Sequence, residues 1–306
     1  MKWDRLRLFY IVSQSKSLTE ASSLLNISQS ALSRQMQALE QEMGSRLFIR
    51  RSRGIELTPA GHKVAEASKI LSRSIDDVNN KLISDNNEPS GQLRIYATNA
   101  FGSIWLAPKM TLFIEKYPQM QLSLSLRDAE PRVTPGHAHA EIRMTPVKSL
   151  DYIQIKLSTF QYKIFASNSY LKKHGMPQDA KDLDKHQIVS YGQDAQPPLD
   201  RKRLNWLLWL GRENNPRKPI MEVSSIYALA RCVESGLGIA SLPSWMEKDM
   251  NNLFQVLTLL NGPTLELSLC FHEQLRNDPR IIALKQFLQL QTKIDFSETQ
   301  SIKEAN

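Results

Sequence analysis

The chain has 306 residues, with 39 Lys plus Arg against 31 Asp plus Glu, a formal net charge of +8. Hydrophobic residues make up 41% and charged residues 23%, so a sizeable core can form, and wholesale disorder and collagen-like repeats are excluded. The length admits two domains or one large α/β body, and the positive balance admits an anionic partner without naming one. Cys232 and Cys270 stand far apart, so no disulfide framework is expected and a four-thiolate metal site is excluded. No charged-then-apolar leader opens the chain. The longest apolar stretch, Leu204 to Leu210, is far short of a bilayer span. The expectation is a soluble cytoplasmic protein of a reducing compartment, without membrane association.

The charge is uneven: residues 1–63 hold ten basic and five acidic side chains, most of the net excess. A first helix is expected from Leu6, Phe9, Tyr10 and Ser13, widened by Leu8 and Val12. Ser17 can cap a short second helix, Thr19 to Leu25, whose small Ala21 and Ser22 allow another helix to cross closely. After the tight Asn26-Ile27-Ser28 connection, Ser28 can cap a third helix, Gln29 to Met43. One face of that helix is apolar: Ala31, Leu32, Met36, Leu39 and Met43. The other presents Gln29, Ser30, Ser33, Arg34 and Gln37.

Short donors near a helix N-terminus let the backbone approach a major groove. Gln pairs bidentately with adenine, Arg with guanine, and Ser with base edges or phosphate. The plain alternative, a solvated helix face, loses weight beside the preceding short helix and tight turn. Gly44 stops the third helix. Leu47-Phe48 then anchor a hairpin with its tip at Arg53-Gly54 and its return strand at Ile55 to Leu57. Such a wing can lay Arg50, Arg51 and Arg53 along phosphates and the minor groove.

The run from Phe9 through Gly61 resembles the DNA-binding domain of the LysR-type transcriptional regulators. The matching pieces are SLTEASSLLNISQSALSRQMQALEQEMGSRLFIRR and GIELTPAGHKV. The resemblance places Gln29-Ser30 at the start of the recognition helix and matches Leu39-Glu40, Met43-Gly44, Leu47-Phe48, Arg50, Leu57-Thr58 and Ala60-Gly61. One mild departure is Ala21-Ser22, where the family has two alanines. The resemblance implies double-stranded DNA as partner, self-association as a dimer or tetramer, RNA polymerase as a candidate partner, and a small-molecule effector.

From Pro59 to about Asn86 the periodicity is helical again, with Ala60, Val64, Ala67, Leu71, Ile75, Val78 and Leu82 in one thin stripe. The stripe suits a helix–helix seam between two copies, the alternative being packing on its own domain. Two recognition helices must meet successive major grooves about 34 Å apart, and a two-fold pair achieves this. Residues 86–91, Asn-Asn-Glu-Pro-Ser-Gly, mark the domain boundary.

The remainder alternates strands and helices and predicts a two-lobed α/β body with a mostly parallel sheet. Ligands in such sheets sit beyond the C-terminal strand ends. Thr98, Asn99, Ala100, Phe101 and Ser103 follow the first strand. Ser224 and Ser225 follow another, with Tyr191 and Gln193 as candidate walls. This region resembles, more loosely, the family's periplasmic-binding-protein-like effector domain through Gly91-x-Leu93, Tyr117-Pro118, AEIRM at 140–144 and ESGLGIASLP at 234–243. Glu141 stands where the family usually has Asp, and Pro131, Pro135 and Gly136 should break a helix expected there. The resemblance implies an effector between the lobes, lined from Thr98 to Phe101, near Arg143 and at Ser224. Arg143 can hold a ligand carboxylate or a structural salt bridge.

The expected fold is therefore a winged helix-turn-helix (1–58), a linker and dimerisation helix (59–88), and an effector domain (91–292). In the last, lobe I spans about 91–158 plus 268–292, lobe II about 160–266, and a polar tail follows at 293–306. No cofactor, metal or catalytic residue is expected. His137 and His139 lack converging ligands, and no nucleophile elbow, P-loop or Rossmann fingerprint occurs. The expected function is an effector-modulated, sequence-specific DNA-binding regulator, cytoplasmic and nucleoid-associated when bound. The rivals are a ligand-independent architectural DNA binder and, more remotely, an α/β enzyme.

Overall fold

The structure, a computed structural model, describes residues 3–51, 54–83, 88–128, 138–147, 149–192 and 200–296. Arg53, the Asn86-Asn87 part of the linker, Pro131 to His137, Gln193 and the end of the tail lie outside them, as do the side chains of Arg50 and Arg51. The chain divides into two compact units near residue 86.

The first unit opens with α1 (Trp3–Gln14), α2 (Leu18–Leu24) and α3 (Gln29–Met43). Leu6, Phe9, Val12, Leu18, Ala21, Leu32, Met36 and Leu39 form its core. Ser17 Oγ caps α2 by accepting from Glu20 N–H at 3.1 Å, and Glu20 turns back to accept from Lys16 N–H at 2.6 Å. Ser22, the departure from the family pair, is buried but donates to Thr19 O at 2.8 Å, so its hydroxyl costs little there. Ser28 Oγ accepts from Ala31 N–H at 3.2 Å and starts α3. Gly44, at φ +62°, ends it with its own N–H donating to Gln41 O and Ser45 N–H to Glu40 O.

The wing is β1 (Phe48–Arg51) paired antiparallel with β2 (Gly54–Leu57). Glu40 of α3 accepts from Leu47 N–H at 2.7 Å and so fixes where the wing leaves the helix. Thr58 caps α4 (Pro59–Ile83), accepting from Gly61 N–H at 3.0 Å and donating to Arg46 O at 2.7 Å. The first turns of α4 pack on this unit's own core through Ala60, Val64 and Ala65. Further along, Leu71 and Ile75 are 41% and 39% exposed. The stripe thus serves both readings in sequence: own domain first, then an open apolar edge.

The second unit holds a seven-stranded sheet. It comprises β3 (Gly91–Ala97), β4 (Met120–Leu126), β5 (Ala140–Arg143), β6 (Tyr152–Ala166), β9 (Ala240–Pro243), β10 (Phe254–Val256) and β11 (Thr264–His272). A separate parallel pair joins β7 (Val189–Tyr191) and β8 (Met221–Val223). Only the β3–β4 and β3–β5 pairings of the large sheet are parallel. β5–β11, β11–β6, β6–β9 and β6–β10 are antiparallel. The mostly parallel sheet expected from the sequence is corrected to a mixed one. The cause is β6, fifteen residues long, which pairs with β11 over its first part and with β9 and β10 over its last. An irregularity at Leu267/Ser268, opposite Leu157, falls at the expected lobe boundary and lets the paired strands bend there.

Helices cover this sheet: α5 (Asn99–Phe101), a π-helical turn (Gly102–Leu106), α6 (Ala107–Lys116), α7 (Asn168–His174), α8 (Arg201–Leu204), α9 (Trp206–Trp209), α10 (Ile226–Glu234), α11 (Met246–Asp249) and α12 (Pro279–Phe296). The polar tail expected from residue 293 is corrected in its first part. α12 continues through Phe296, which is buried and stacked on Trp105 at 5.4 Å, while Asp295 accepts from Trp105 Nε1 at 2.7 Å.

Candidate DNA-reading face and effector cavity

On α3 the structure separates two faces. Leu32, Met36 and Leu39 are buried, whereas Gln29, Ser30, Arg34 and Gln37 are exposed and Ser33 is half-buried. No acidic residue occupies the first turn, so the positive end of the helix is left uncancelled toward phosphate. The backbone of Arg50 and Arg51 runs in β1 opposite Ile55 and Gly54. Gly54 has φ +135°, and a Cβ there would lie 2.3 Å from Lys16 O. The wing therefore sits hard against the α1–α2 connection, which Ile55 N–H also bonds at 3.3 Å.

Within the second unit, a small cavity of about 30 Å³ lies between the lobes. Lobe I contributes Thr98, Ala100, Phe101, Asp128 and Met144. The crossing strands contribute Phe160, Tyr162 and Leu265, and lobe II contributes Tyr191, Leu204, Ile226, Pro243 and Trp245. As it stands it has room for about two waters, so a ligand enters only as the lobes part; its walls are mainly apolar with few polar groups. The position follows from topology. Ala97 and Leu126 pair at the C-terminal ends of parallel β3 and β4, so Thr98 and Asp128 emerge side by side.

Of the expected effector residues, Thr98, Ala100, Phe101 and Tyr191 line the cavity. Asn99 and Ser225 stand behind it and hold Asp128. Asn99 N–H donates to the carboxylate at 3.2 Å, and the Ser225 hydroxyl lies beside it. Burial raises the Asp128 pKa, and Ser225 and the Asn99 N–H oppose that rise. Ser103 donates to Asn99 Oδ1 at 3.2 Å and Ser224 is exposed; neither is in the lining.

Arg143 does not line the cavity either. Its alternation with Met144 directs it away, and it is buried against Glu141 at 2.9 Å. Of the two roles open to Arg143, the structure places it in the salt bridge. His139 meets the Arg94 N–H at 3.0 Å and the Arg94 guanidinium at 2.8 Å, and no metal-holding cluster occurs among the described residues. Trp206 and Trp209 are half-buried and pack against the core that includes Leu207 and Leu208, and Trp206 Nε1 donates to Ser241 Oγ at 2.6 Å.

The bacterial regulatory helix-turn-helix family of LysR type matches residues 3–62, and the LysR substrate binding domain matches residues 86–292. The chain belongs to the LysR family of transcriptional regulators. A LysR-type regulator joins a DNA-binding helix-turn-helix to a ligand-binding regulatory domain, and both halves are present here. An HTH-type transcriptional regulator of Xanthomonas campestris is 26% identical over 297 residues, covering 95% of this chain and 86% of that protein. The regulator CrgA of Neisseria meningitidis is 27% identical, covering 79% and 80%. In fold, the chain resembles full-length CbnR in complex with its target DNA, at TM-score 0.69 and 18% identity, over 95% of this chain and 100% of that one. It also resembles the Vibrio cholerae virulence activator AphB, at TM-score 0.57 and 22% identity, over 94% and 98%.

Asp128, Met144, Phe160, Tyr162, Leu204, Ile226, Pro243, Trp245 and Leu265 are cavity residues that reading by motif missed. For Asp128 a signal existed. It stands two residues beyond the alternating strand QLSLSL, much as Thr98 stands just beyond its neighbour. The aromatic members come from strands and loops far apart in sequence and carried no local mark.

Proposed function

We propose that this LysR-type regulator reads its operator with Gln29, Ser30, Ser33, Arg34 and Gln37 in the major groove. Arg50, Arg51 and Arg53 hold the phosphates beside it. A small molecule in the inter-lobe cavity changes the closure of the lobes and hence the geometry of the DNA-bound oligomer. The observation that carries this reading is the pairing of one capped helix, with a polar outer face and no acid in its first turn, with one enclosed cavity in a separate unit. Two copies joined along the exposed Leu71–Ile75 edge of α4 would present two such helices. The reading includes RNA polymerase as a partner at the promoter, a cytoplasmic and nucleoid-associated location, no cofactor and no catalytic activity. No helix among the described residues is long and apolar enough to cross a membrane.

The test is hydrogen exchange across residues 91–290 with a metabolite panel, run beside nuclease footprints. A true effector protects the cavity-lining strands and alters the footprint. Absence of both across the panel favours the ligand-independent architectural binder.

A further inference from the structure

Asp128 is the one charged side chain among the described residues that line the cavity, and no basic side chain accompanies it there. The Asn99 N–H donates to it at 3.2 Å and the Ser225 hydroxyl lies beside it. Neither donor carries a charge, so neither neutralises the half-buried carboxylate. Its charge is felt across the cavity, where it helps hold the Tyr162 and Tyr191 hydroxyls in the protonated form. Around it the walls are aromatic: Phe101 meets Trp245 edge-on at 5.6 Å, and Phe160 meets Trp245 at 6.4 Å. Trp245 Nε1 is buried without a hydrogen-bond partner, and the Tyr191 hydroxyl has the Ile226 backbone beside it. A donor left as Trp245 Nε1 is can take a ligand or water as its partner.

We infer that the effector of this regulator is a small organic ammonium ion, admitted as the lobes part, with its cation against Asp128 and its apolar body against the aromatic walls. The inference rests on the effector-cavity reading above and names the ligand class of that same site. Charge decides among the candidates. An anionic ligand could use the Tyr191 and Trp245 donors, but it would meet the Asp128 carboxylate with like charge in a partly water-excluded space. Arg143, the nearest expected counter-ion for such an anion, is committed to Glu141. A neutral ligand satisfies the donors and leaves the carboxylate as exposed to low dielectric as before. A cation pairs with Asp128, gains from the faces of Phe160, Tyr162 and Trp245, and can donate to the Tyr191 hydroxyl.

The test is calorimetric titration of the full-length protein with three probes of one shape: 2-phenylethylammonium, 2-phenylethanol and phenylacetate. The ammonium should bind with a Kd about tenfold or more below those of the other two, the scale of one added ion pair with ring contacts. Asp128→Asn should erase that preference, whereas Glu115→Gln, an exposed acid of α6, should leave it intact. The inference is overturned if the alcohol or the carboxylate binds as tightly, if Asp128→Asn leaves the preference unchanged, or if no ammonium binding is seen at about 10 mM. Footprints taken with each probe keep the two readings apart. A footprint altered by phenylacetate or phenylethanol would preserve effector control while removing the ammonium class. Ammonium binding at Asp128 without any change in footprint would do the reverse.

Discussion

Gly61 is where the wing, the recognition helix and the linker helix are fastened together, and Gly61→Ala should break that fastening. A Cβ at residue 61 would lie 1.9 Å from Leu47 O and 2.9 Å from Leu47 C, both backbone atoms that no rotamer change can move. Relief to ordinary contact requires the start of α4 to withdraw by about 1.5 Å. The bond from Thr58 N–H to Leu47 O, now 3.0 Å, would open beyond hydrogen-bond range, and the one from Thr58 Oγ1 to Arg46 O, now 2.7 Å, would open with it. Two such bonds are worth about 2 kcal/mol together. Loosening the buried Leu47 side chain adds about 1–2 kcal/mol, and the better helix propensity of Ala over Gly returns about 1 kcal/mol. The net loss is about 2–3 kcal/mol, confined to the first unit. Urea-dependent hydrogen exchange of the α3 amides measures that quantity directly, with the amides of β6 as the internal reference. A loss below about 0.5 kcal/mol, or an equal loss in both units, would refute the reasoning.

Ser28→Ala removes the side-chain cap of α3 and should cost the first unit about 1 kcal/mol, read by the same exchange experiment, while Ser28→Gly should cost a few tenths. Arg50→Ala with Arg51→Ala should weaken binding to all duplexes alike and flatten the dependence of log K on log salt by about 1 per arginine, measured by anisotropy across a salt series. Burial pushes the Cys270 thiol up to about 12, so at pH 8 it stays protonated and unreactive. Cys232, half-exposed, should take iodoacetamide in the native protein, with Cys270 following only after denaturation.

The sequence made the DNA-reading face legible because its determinants are local. Ser28, the spacing of Leu32, Met36 and Leu39, and Gly44 each act within one or two turns, and their positions alone define a helix with one buried and one open face. The wing was legible for the same reason, through Gly54 and the Leu57-Thr58-Pro59 break. The sensor was legible only where a strand end meets a helix start, at Thr98 to Phe101. Its sheet direction was misread because nothing local announces that residues 152–166 form one strand serving both lobes. Arg143 was drawn toward a ligand by its chemistry. Its pairing depends on Glu141 two residues earlier on the same strand face, a relation that the period-2 rule could have exposed. The cavity's aromatic wall needed the tertiary fold, since Phe101, Phe160 and Tyr191 come from three separate elements and Trp245 from the turn before α11.

The central claim is that the outer face of α3 discriminates sequence. It is tested most directly by selecting bound duplexes from random DNA with the full-length protein. Affinity for the selected and a scrambled duplex is then measured by fluorescence anisotropy at one fixed salt concentration, for the wild type and Arg34→Ala. The account predicts a wild-type preference of about 10³-fold or more, and a loss of about 1–3 kcal/mol of that preference in Arg34→Ala with little change on scrambled DNA. No preference in the wild type, or an Arg34→Ala preference equal to it, would contradict the account.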